Sequence, residues 1–475
     1  MRSFLLFRGL LTLLLGLGGA LVAHASHVRG GDIAFASIPS TTAGVPRYHV
    51  VVRQFVEPVT NGLITTTVPL VASRSCGATG ADTFTTTAPR TQLLDGTTLS
   101  CSSPSPLYQV AVYEVDVNLP TGQWLLSVTI NARTFSIVNL LNAATQNCYL
   151  VAYLDNTLAT QDVAPVFQSL RQPYLNVSAF GPHHLSAFDA NGDSLRYEIV
   201  PALGECNQPL APYPSTFVPH FTVNASTGLL TPTVAGVSVI GGSYNIVVKV
   251  SEYRRINGSW QLIGYVMRDT LYFPFPTNNQ NPTFTTAQVN GGAAQPVGQL
   301  IAVQPGQTAT VVLSATDPDV GQAVRFVSPA ASVVPGLSLT PTSSATSMQL
   351  VWQVPATLPA GRYPILVTVL DNSCMYNGSE ERTLTFVVGS TALATRASAT
   401  ATDVFPVPFR EQVQFTTAPN QAVVLVDALG REVARLTSAA SGLVRWQPAP
   451  TLPAGLYLAR SASSGQPLAR LLRAE

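Results

Sequence analysis

Lysine occurs once in this chain of 475 residues, at Lys249, and the other basic residues are arginines in a total of 25. Charged residues of all kinds make up 10% of the sequence and the formal net charge is +1, against roughly 25% charged in an ordinary globular domain. No basic stripe exists, which argues against nucleic acid and against an anionic membrane surface as partners. No amphipathic helical pattern of convincing length is present, and no Cys-x-x-Cys pair, so neither zinc nor thiol redox catalysis is expected. Catalytic signatures are missing as well: there is no Gly-x-Ser-x-Gly elbow, no His-Glu-x-x-His and no phosphate-binding Gly-Lys-Ser/Thr loop. The paired histidines His183-His184 sit at a strand start, where neighbours take opposite faces. They make a poor chelate, and one buried and one exposed ring is expected.

What the sequence does have is punctuation. Its 36 prolines and 34 glycines are spread along the chain, with Val and Thr abundant between them, the pattern of many short strands joined by tight turns. The expected class is all-β. A turn glycine before an aromatic residue recurs four times: Leu119-Pro-Thr-Gly122-Gln-Trp124, Gly242-Ser-Tyr244, Leu358-Pro-Ala-Gly361-Arg-Tyr363 and Leu452-Pro-Ala-Gly455-Leu-Tyr457. Each would feed the late strand of a sandwich. The copies predict modules at 26–163, 164–279, 280–389 and 403–475, with a Ser/Thr/Ala linker at 390–402. Residues 1–25 read as a secretory signal peptide: Arg2 and Arg8, an apolar run from Gly9 to Val22, then Ala23-His24-Ala25. That run is too short for a membrane anchor, so no transmembrane anchor is expected after cleavage.

Cysteine usage fits an oxidising compartment but is odd in number, five in all. Cys76 with Cys101 would close a Thr-rich loop, Cys148 with Cys206 would tie the first two modules, and Cys374 would be left over. Trp260, just past the Asn257-Gly258 turn, is expected to staple its hairpin to a neighbour, with stacking on a sugar as the other option. Asn-x-Ser sequences at Asn176, Asn224, Asn257 and Asn377 are given little weight.

Asp189, Asn191 and Asp193 stand at alternate positions, which would let oxygens converge on a hard cation such as Ca²⁺. Asp317 and Asp319, with Asp371, would form a second site. Asp, Asn and Gly are also natural turn residues, so a purely structural role stands beside the metal one. An EF-hand is excluded, because the twelfth position from Asp189 is Val200 and not a glutamate. The two segments, Ser186-Ala-Phe-Asp189-Ala-Asn191-Gly-Asp193-Ser-Leu-Arg-Tyr197 and Ser314-Ala-Thr-Asp317-Pro-Asp319 to Phe326, resemble cadherin-like and immunoglobulin-like repeats of bacterial surface proteins. The resemblance implies tandem immunoglobulin-like or cadherin-like β-sandwiches.

Two further resemblances concern location. Ser26-His27-Val28-Arg-Gly30-Gly31-Asp32-Ile33, Tyr48 to Arg53, Pro165-Val-Phe167 and Val250-Ser-Glu252-Tyr253-Arg254 are similar to the opening region of large Bacteroidetes surface proteins associated with adhesion and gliding motility. This chain reads Arg53-Gln-Phe where that family has Arg-Asp-Cys. At the other end, Phe405-Pro406-Val407-Pro408-Phe409, the Val423 to Asp427-Ala-Leu-Gly430 turn and Gly455-Leu-Tyr457 resemble the C-terminal sorting domain of the type IX secretion system. Phe405 and Val407 stand where that family has tyrosine and asparagine. The resemblance implies a small C-terminal β-sandwich that engages the type IX secretion machinery and places the protein outside the outer membrane. The resulting expectation is a non-enzymatic, secreted or cell-surface protein acting in adhesion on a protein or glycan ligand. Two distant carboxylates of a glycosidase carry no local motif, so an exported carbohydrate-binding or carbohydrate-active protein is the alternative.

Overall fold

The computed structural model describes residues 28–57, 64–96, 108–134, 136–172, 174–176, 183–212, 220–233, 242–275, 277–373, 377–389, 404, 406, 408–427, 430–463, 465 and 467–474. The expected leader, Ser26-His27, Cys101, Cys374, the linker 390–402 and Phe405 lie outside the described residues. Within them the chain is all-β: strands joined by turns, with single-turn 3-10 helices at Gly80–Asp82, Ala143–Thr145 and Pro329–Ser332. It divides into two compact units, Met1–Gly389 and Ser390–Glu475.

One continuous antiparallel sheet organises the start of the first unit. Its antiparallel strands are β1 (Val28–Ile38), β2 (Arg47–Val56), β3 (Thr67–Ser73), β4 (Thr83–Asp95), β5 (Gln109–Asn118), β6 (Gln123–Ile130), β7 (Cys148–Asp155), β8 (Ser194–Val200), β9 (Tyr244–Ile256) and β10 (Ser259–Phe275), and the short segment Tyr174–Asn176 pairs parallel with β10. The spatial order is β1-β2-β5-β4-β3-β6-β7-β10-β9-β8, and β1 also pairs with β10 at Gly31↔Asp269, so the first eight strands of that order close on themselves. Close approach at the seam demands glycine. Gly30 has φ +113°, and a Cβ there would run into the Asp269 carbonyl, as one on Gly31 would into the Arg53 carbonyl. Asp32 then pins the seam from inside, accepting from Arg53 Nε at 2.8 Å and from Arg268 Nε at 2.7 Å.

The boundary expected at 163/164 does not separate two cores. β10, from the second expected module, pairs with β7 from Gly264↔Leu154 to Val266↔Ala152, and so fills the edge that β7 would otherwise expose. Apolar side chains from both expected modules share one buried cluster, including Ile33, Val50, Trp124, Leu126, Val248 and Val266. The disulfide crosses the same boundary. Cys76 is bonded to Cys206, not to Cys101, and Cys148 is a buried free thiol rather than the partner of Cys206. The reason is spatial: Cys148 lies inside the sheet, whereas Cys76, just past β3, faces the hairpin Leu203–Glu205/Gln208–Pro209 that folds over the sheet.

The third expected module stacks two sheets. One contains β11 (Thr283–Val289), β12 (Thr308–Thr316), β13 (Leu337–Pro341) and β14 (Ser347–Gln353); the other contains β15 (Gly361–Leu370) and β16 (Ser379–Val388). Between them lie Leu313, Leu350, Trp352, Ile365 and Phe386, joined by Phe188 from the preceding module. The junction is polar as well as apolar. Gln168 donates to the Pro364 carbonyl at 2.8 Å and accepts from the Leu366 N–H at 2.9 Å.

Both histidines of His183-His184 are buried here, at 4% and 7% exposure, because β16 covers the face on which one was expected to meet water. His183 Nδ1 lies 2.6 Å from Glu381 Oε2, which also accepts the His184 N–H at 2.8 Å. Burial alone would raise the Glu381 carboxyl, but the His183 charge and bond and the nearby Arg171 hold it at about 2.

The second unit pairs β17 (Val413–Thr416) with β20 (Leu443–Trp446), and sets β18 (Ala422–Val426) between β19 (Glu432–Thr437) and β21 (Gly455–Ser461), with β22 (Pro467–Arg473) beyond β21. Phe409, Phe415, Trp446 and Tyr457 fill its centre. Pro406 and Pro408 are exposed, while Phe409 is buried and donates its N–H to the Leu472 carbonyl at 2.9 Å. Gly430, at φ +82°, closes its turn by donating to the Asp427 carbonyl at 2.9 Å.

The repeated turn has a shared physical cause. Trp124 Nε1 donates to the Pro120 carbonyl at 2.8 Å, Tyr363 Oη to Pro359 at 2.8 Å and Tyr457 Oη to Pro453 at 2.5 Å. In these three of the four copies a buried aromatic ring satisfies its polar tip on the proline four residues earlier, which fixes how the strand leaves the turn; the Tyr244 copy has Ile240 at that position.

Candidate cation centre

Asp189 opens a tight turn in which it accepts the N–H of Asn191 at 2.8 Å and that of Asp193 at 3.2 Å through Oδ1, while Gly192 takes φ +75°. This is the local geometry that Asp and Asn favour through side chain to backbone bonds. It leaves Asp189 Oδ2 pointing away from the turn. Asn191 does not follow as a ligand: its Oδ1 accepts the Val163 N–H at 2.8 Å. That bond draws the segment after β7 against the turn and brings in Asp162.

From β9 comes Glu252, fully buried and pressed against Gly264 of β10, where any side chain would collide with it. Oxygens of Asp162, Asp193 and Glu252 lie within 4.8 Å of one another. Arg254, two residues along β9, reaches the group from one side, with Nη2 2.7 Å from Asp162 Oδ1 and 2.5 Å from Asp193 Oδ2.

The electrostatics are unbalanced. Four carboxylates from Asp162, Asp189, Asp193 and Glu252 face one guanidinium. Asp162 Oδ2, Asp189 Oδ2 and both oxygens of Glu252 are buried and find no hydrogen-bond donor. Burial, then the neighbouring Asp193, pushes the Asp189 carboxyl up to about 7. Asp162 rises to about 6, from burial and Asp193 outweighing Arg254. Glu252 is driven well above the usual carboxylate range by burial and by Asp162, Asp189 and Asp193. Buried like charges of this kind must take up protons or a cation. Hard oxygen donors from three separate segments, several of them unsatisfied, fit Ca²⁺.

The other predicted set, Asp317, Asp319 and Asp371, is arranged differently. The same turn forms, with the Asp319 N–H donating to Asp317 Oδ1 at 2.8 Å. Asp371, at the end of β15, occupies the place that Glu252 has on β9. Yet the linker here offers Asn279 three residues before Pro282, where the earlier one has Asp162 three before Pro165, and Gln322 stands near the position of Asp193. Asn279 Nδ2 donates to Asp371 Oδ2 at 2.7 Å, Gln322 Nε2 to Asn279 Oδ1 at 2.6 Å, and the Gln280 N–H to Asp319 Oδ2 at 2.8 Å. Amides take up oxygens of Asp319 and Asp371 that would otherwise need a cation, while Asp317 Oδ2 is left buried without a donor, as Asp189 Oδ2 is. Among the described residues, the acidic set that converges on one point is that of Asp162, Asp193 and Glu252. Two of its three members were absent from the sequence prediction.

Trp260 is not the staple expected of it: its side chain is 60% exposed. The Asn257-Gly258 turn, with φ +50° and +85°, carries the β9–β10 hairpin past the body of the sheet, and the ring has Arg255 as its cross-strand partner.

No protein-family model matches the chain, and no curated protein matches it. Among solved structures it is similar to the protocadherin GammaB4 extracellular domain (15% identity, TM-score 0.18, covering 81% of this chain and 61% of that one). It is also similar to Drosophila N-cadherin EC1-4 (11%, TM-score 0.23, covering 64% and 73%), and to dimeric latent PorU from Porphyromonas gingivalis (14%, TM-score 0.15, covering 74% and 32%). The chain thus spans less than two thirds of the protocadherin's length. At these scores nothing about function passes from those proteins to this chain.

Proposed function

We propose that this chain is a non-enzymatic modular protein of the cell exterior, acting in adhesion or extracellular binding. Its first unit would be stiffened by Ca²⁺, and its second would be a sorting module for export by the type IX secretion system. The observation that carries the calcium reading is the set of buried, donorless carboxylate oxygens at Asp162, Asp189 and Glu252, which sit where the segment after β7 meets β9. A cation there would lock that segment to the sheet. The Cys76–Cys206 disulfide supports an oxidising compartment, since such bonds persist outside the cytosol. No helix among the described residues is long and apolar enough to cross a membrane.

Melting the purified protein in EGTA and in millimolar Ca²⁺ tests the first part. A cation held by the folded state alone raises the melting temperature with its concentration, and identical curves would remove the calcium reading. Removing residues 403–475 tests the second: the truncated protein should accumulate in the periplasm, and normal surface display of it would end the sorting reading. An exported carbohydrate-binding protein remains a second reading because of the exposed Trp260 ring.

A further inference from the structure

The outward face of the sheet across β7, β10, β9 and β8 carries chemistry that the cation centre does not use. Antiparallel pairing sets Tyr153 opposite Tyr265, Tyr265 opposite Ser251, and Ser251 opposite Arg196, so these four side chains leave one face in a row. The next rows toward the hairpin tip pair Tyr253 with Leu262 and Arg255 with Trp260, and the row on the other side brings Lys249 opposite Glu198. Glu252, between Ser251 and Tyr253, points to the opposite face.

One end of this outward face is roofed. Ala202, Leu203 and Leu210 pack on Val151, Val247 and Met267 there, and Cys206 fastens the roof to Cys76. The other end is open. Tyr153 and Tyr265 stack with ring centroids 5.3 Å apart, and the Lys249 ammonium sits 5.5 Å from the Tyr265 centroid. Beyond them Trp260 is 60% and Leu262 38% exposed. Trp260 has no ring partner among the described residues, so its indole is free to stack. The open rows hold three cations, Arg196, Lys249 and Arg255, against two carboxylates: Glu198, which pairs with Lys249, and Asp155 beside Tyr153, already engaged by Gln123 and Thr157. That leaves the guanidiniums of Arg196 and Arg255 without a carboxylate partner in these rows.

We infer that this open face binds an extended acidic polysaccharide, with a pyranose ring stacked on Trp260 and carboxylate or sulfate groups held by Arg255, Arg196 and Lys249. The inference deepens the extracellular-binding reading by naming its ligand class. An aromatic face matches the C–H face of a sugar ring, and cations beside it match anionic substituents that a neutral glycan lacks. A protein partner would favour an interface core depleted of charge, whereas here the charges alternate with the rings. A single-stranded nucleic acid would need a cationic track along its backbone, and three cations on a flat sheet do not make one.

Affinity electrophoresis of the full chain through gels containing hyaluronan, chondroitin sulfate or neutral dextran, with oligothymidylate in a parallel titration, tests the site. The acidic polymers should retard the protein and dextran should not. Trp260→Ala should weaken the interaction about tenfold with an unchanged melting curve, and Arg255→Gln should reduce its dependence on salt. No retardation by either acidic polymer, full retention by Trp260→Ala, or tighter binding to oligothymidylate would each overturn the inference. The gels are run in Ca²⁺ and in EGTA. Retardation in either buffer supports the site whatever calcium does to the melting temperature. A calcium-dependent melting shift without any retardation removes this inference alone.

Discussion

Glu252 sits fully buried on a central strand with neither carboxylate oxygen given a donor. Replacing it by glutamine removes a carboxyl that must either hold a proton or repel Asp162, Asp189 and Asp193, so the metal-free protein should melt higher and the increment produced by Ca²⁺ should shrink or vanish. A calcium increment equal to that of the unaltered protein, read by calorimetry, would mean that Glu252 is not a ligand. The amide-filled junction before β11 offers the reverse experiment. Asn279→Asp together with Gln322→Asp would recreate the uncompensated carboxylates there, and the double variant should lose stability in EGTA and gain a second calcium-dependent increment. At this scale the sequence revealed the turn and not the site. Asp189 and Asp193 advertise themselves by spacing. Asp162 and Glu252 stand alone in their local sequence, and only the Asn191 bond to Val163 and the register of β9 bring them to the turn.

Strands and their turns were largely legible, because period-two burial and turn chemistry are local. The aromatic residues after the repeated turn glycines, for example, anchor strands in the manner their spacing suggested. Non-local pairing was not legible. Nothing near Val28 or near Phe275 announces that β1 and β10 meet, and nothing near Cys76 announces Cys206, 130 residues away. The glycines at the seam are the nearest thing to a signal. Gly30→Ala puts a Cβ into the Asp269 carbonyl and forces a side chain onto φ +113°, so about 2 kcal/mol or more of stability should be lost. Chemical denaturation of Gly30→Ala beside Gly77→Ala tests this, since Gly77 also has positive φ but open space around it. Equal losses would show that conformation and not close approach is what the seam requires.

For the whole molecule, two opposed titrations set how stability depends on pH. Asp162 and Asp189 bind protons more tightly folded than unfolded, at about 6 and about 7. What they contribute to the metal-free protein is therefore present at low pH and lost as pH rises through that window. Glu381 and His184 act the other way, held down to about 2 and about 4. His184, pushed down by burial, is kept neutral, so stability falls as pH drops below the ordinary histidine range toward 4. In EGTA the melting temperature should decline from about pH 5 to about pH 8, and in Ca²⁺, which needs the ionised carboxylates, the increment should grow over the same span. A calcium increment that is flat across this range would place the cation away from these two residues.

The seam between β1 and β10 also sets an order of events. β1 leaves the ribosome early, yet one of its two partners in the closed sheet cannot exist until the chain has been made or threaded as far as Phe275. Until then β1 can lie along β2 but the ring stays open, with the outer edge of β7 unpaired. Contacts of such long sequence separation slow folding and prolong the exposure of strand edges. Export of the kind proposed above would gain from that delay, since a chain unable to close its largest core early stays threadable for longer.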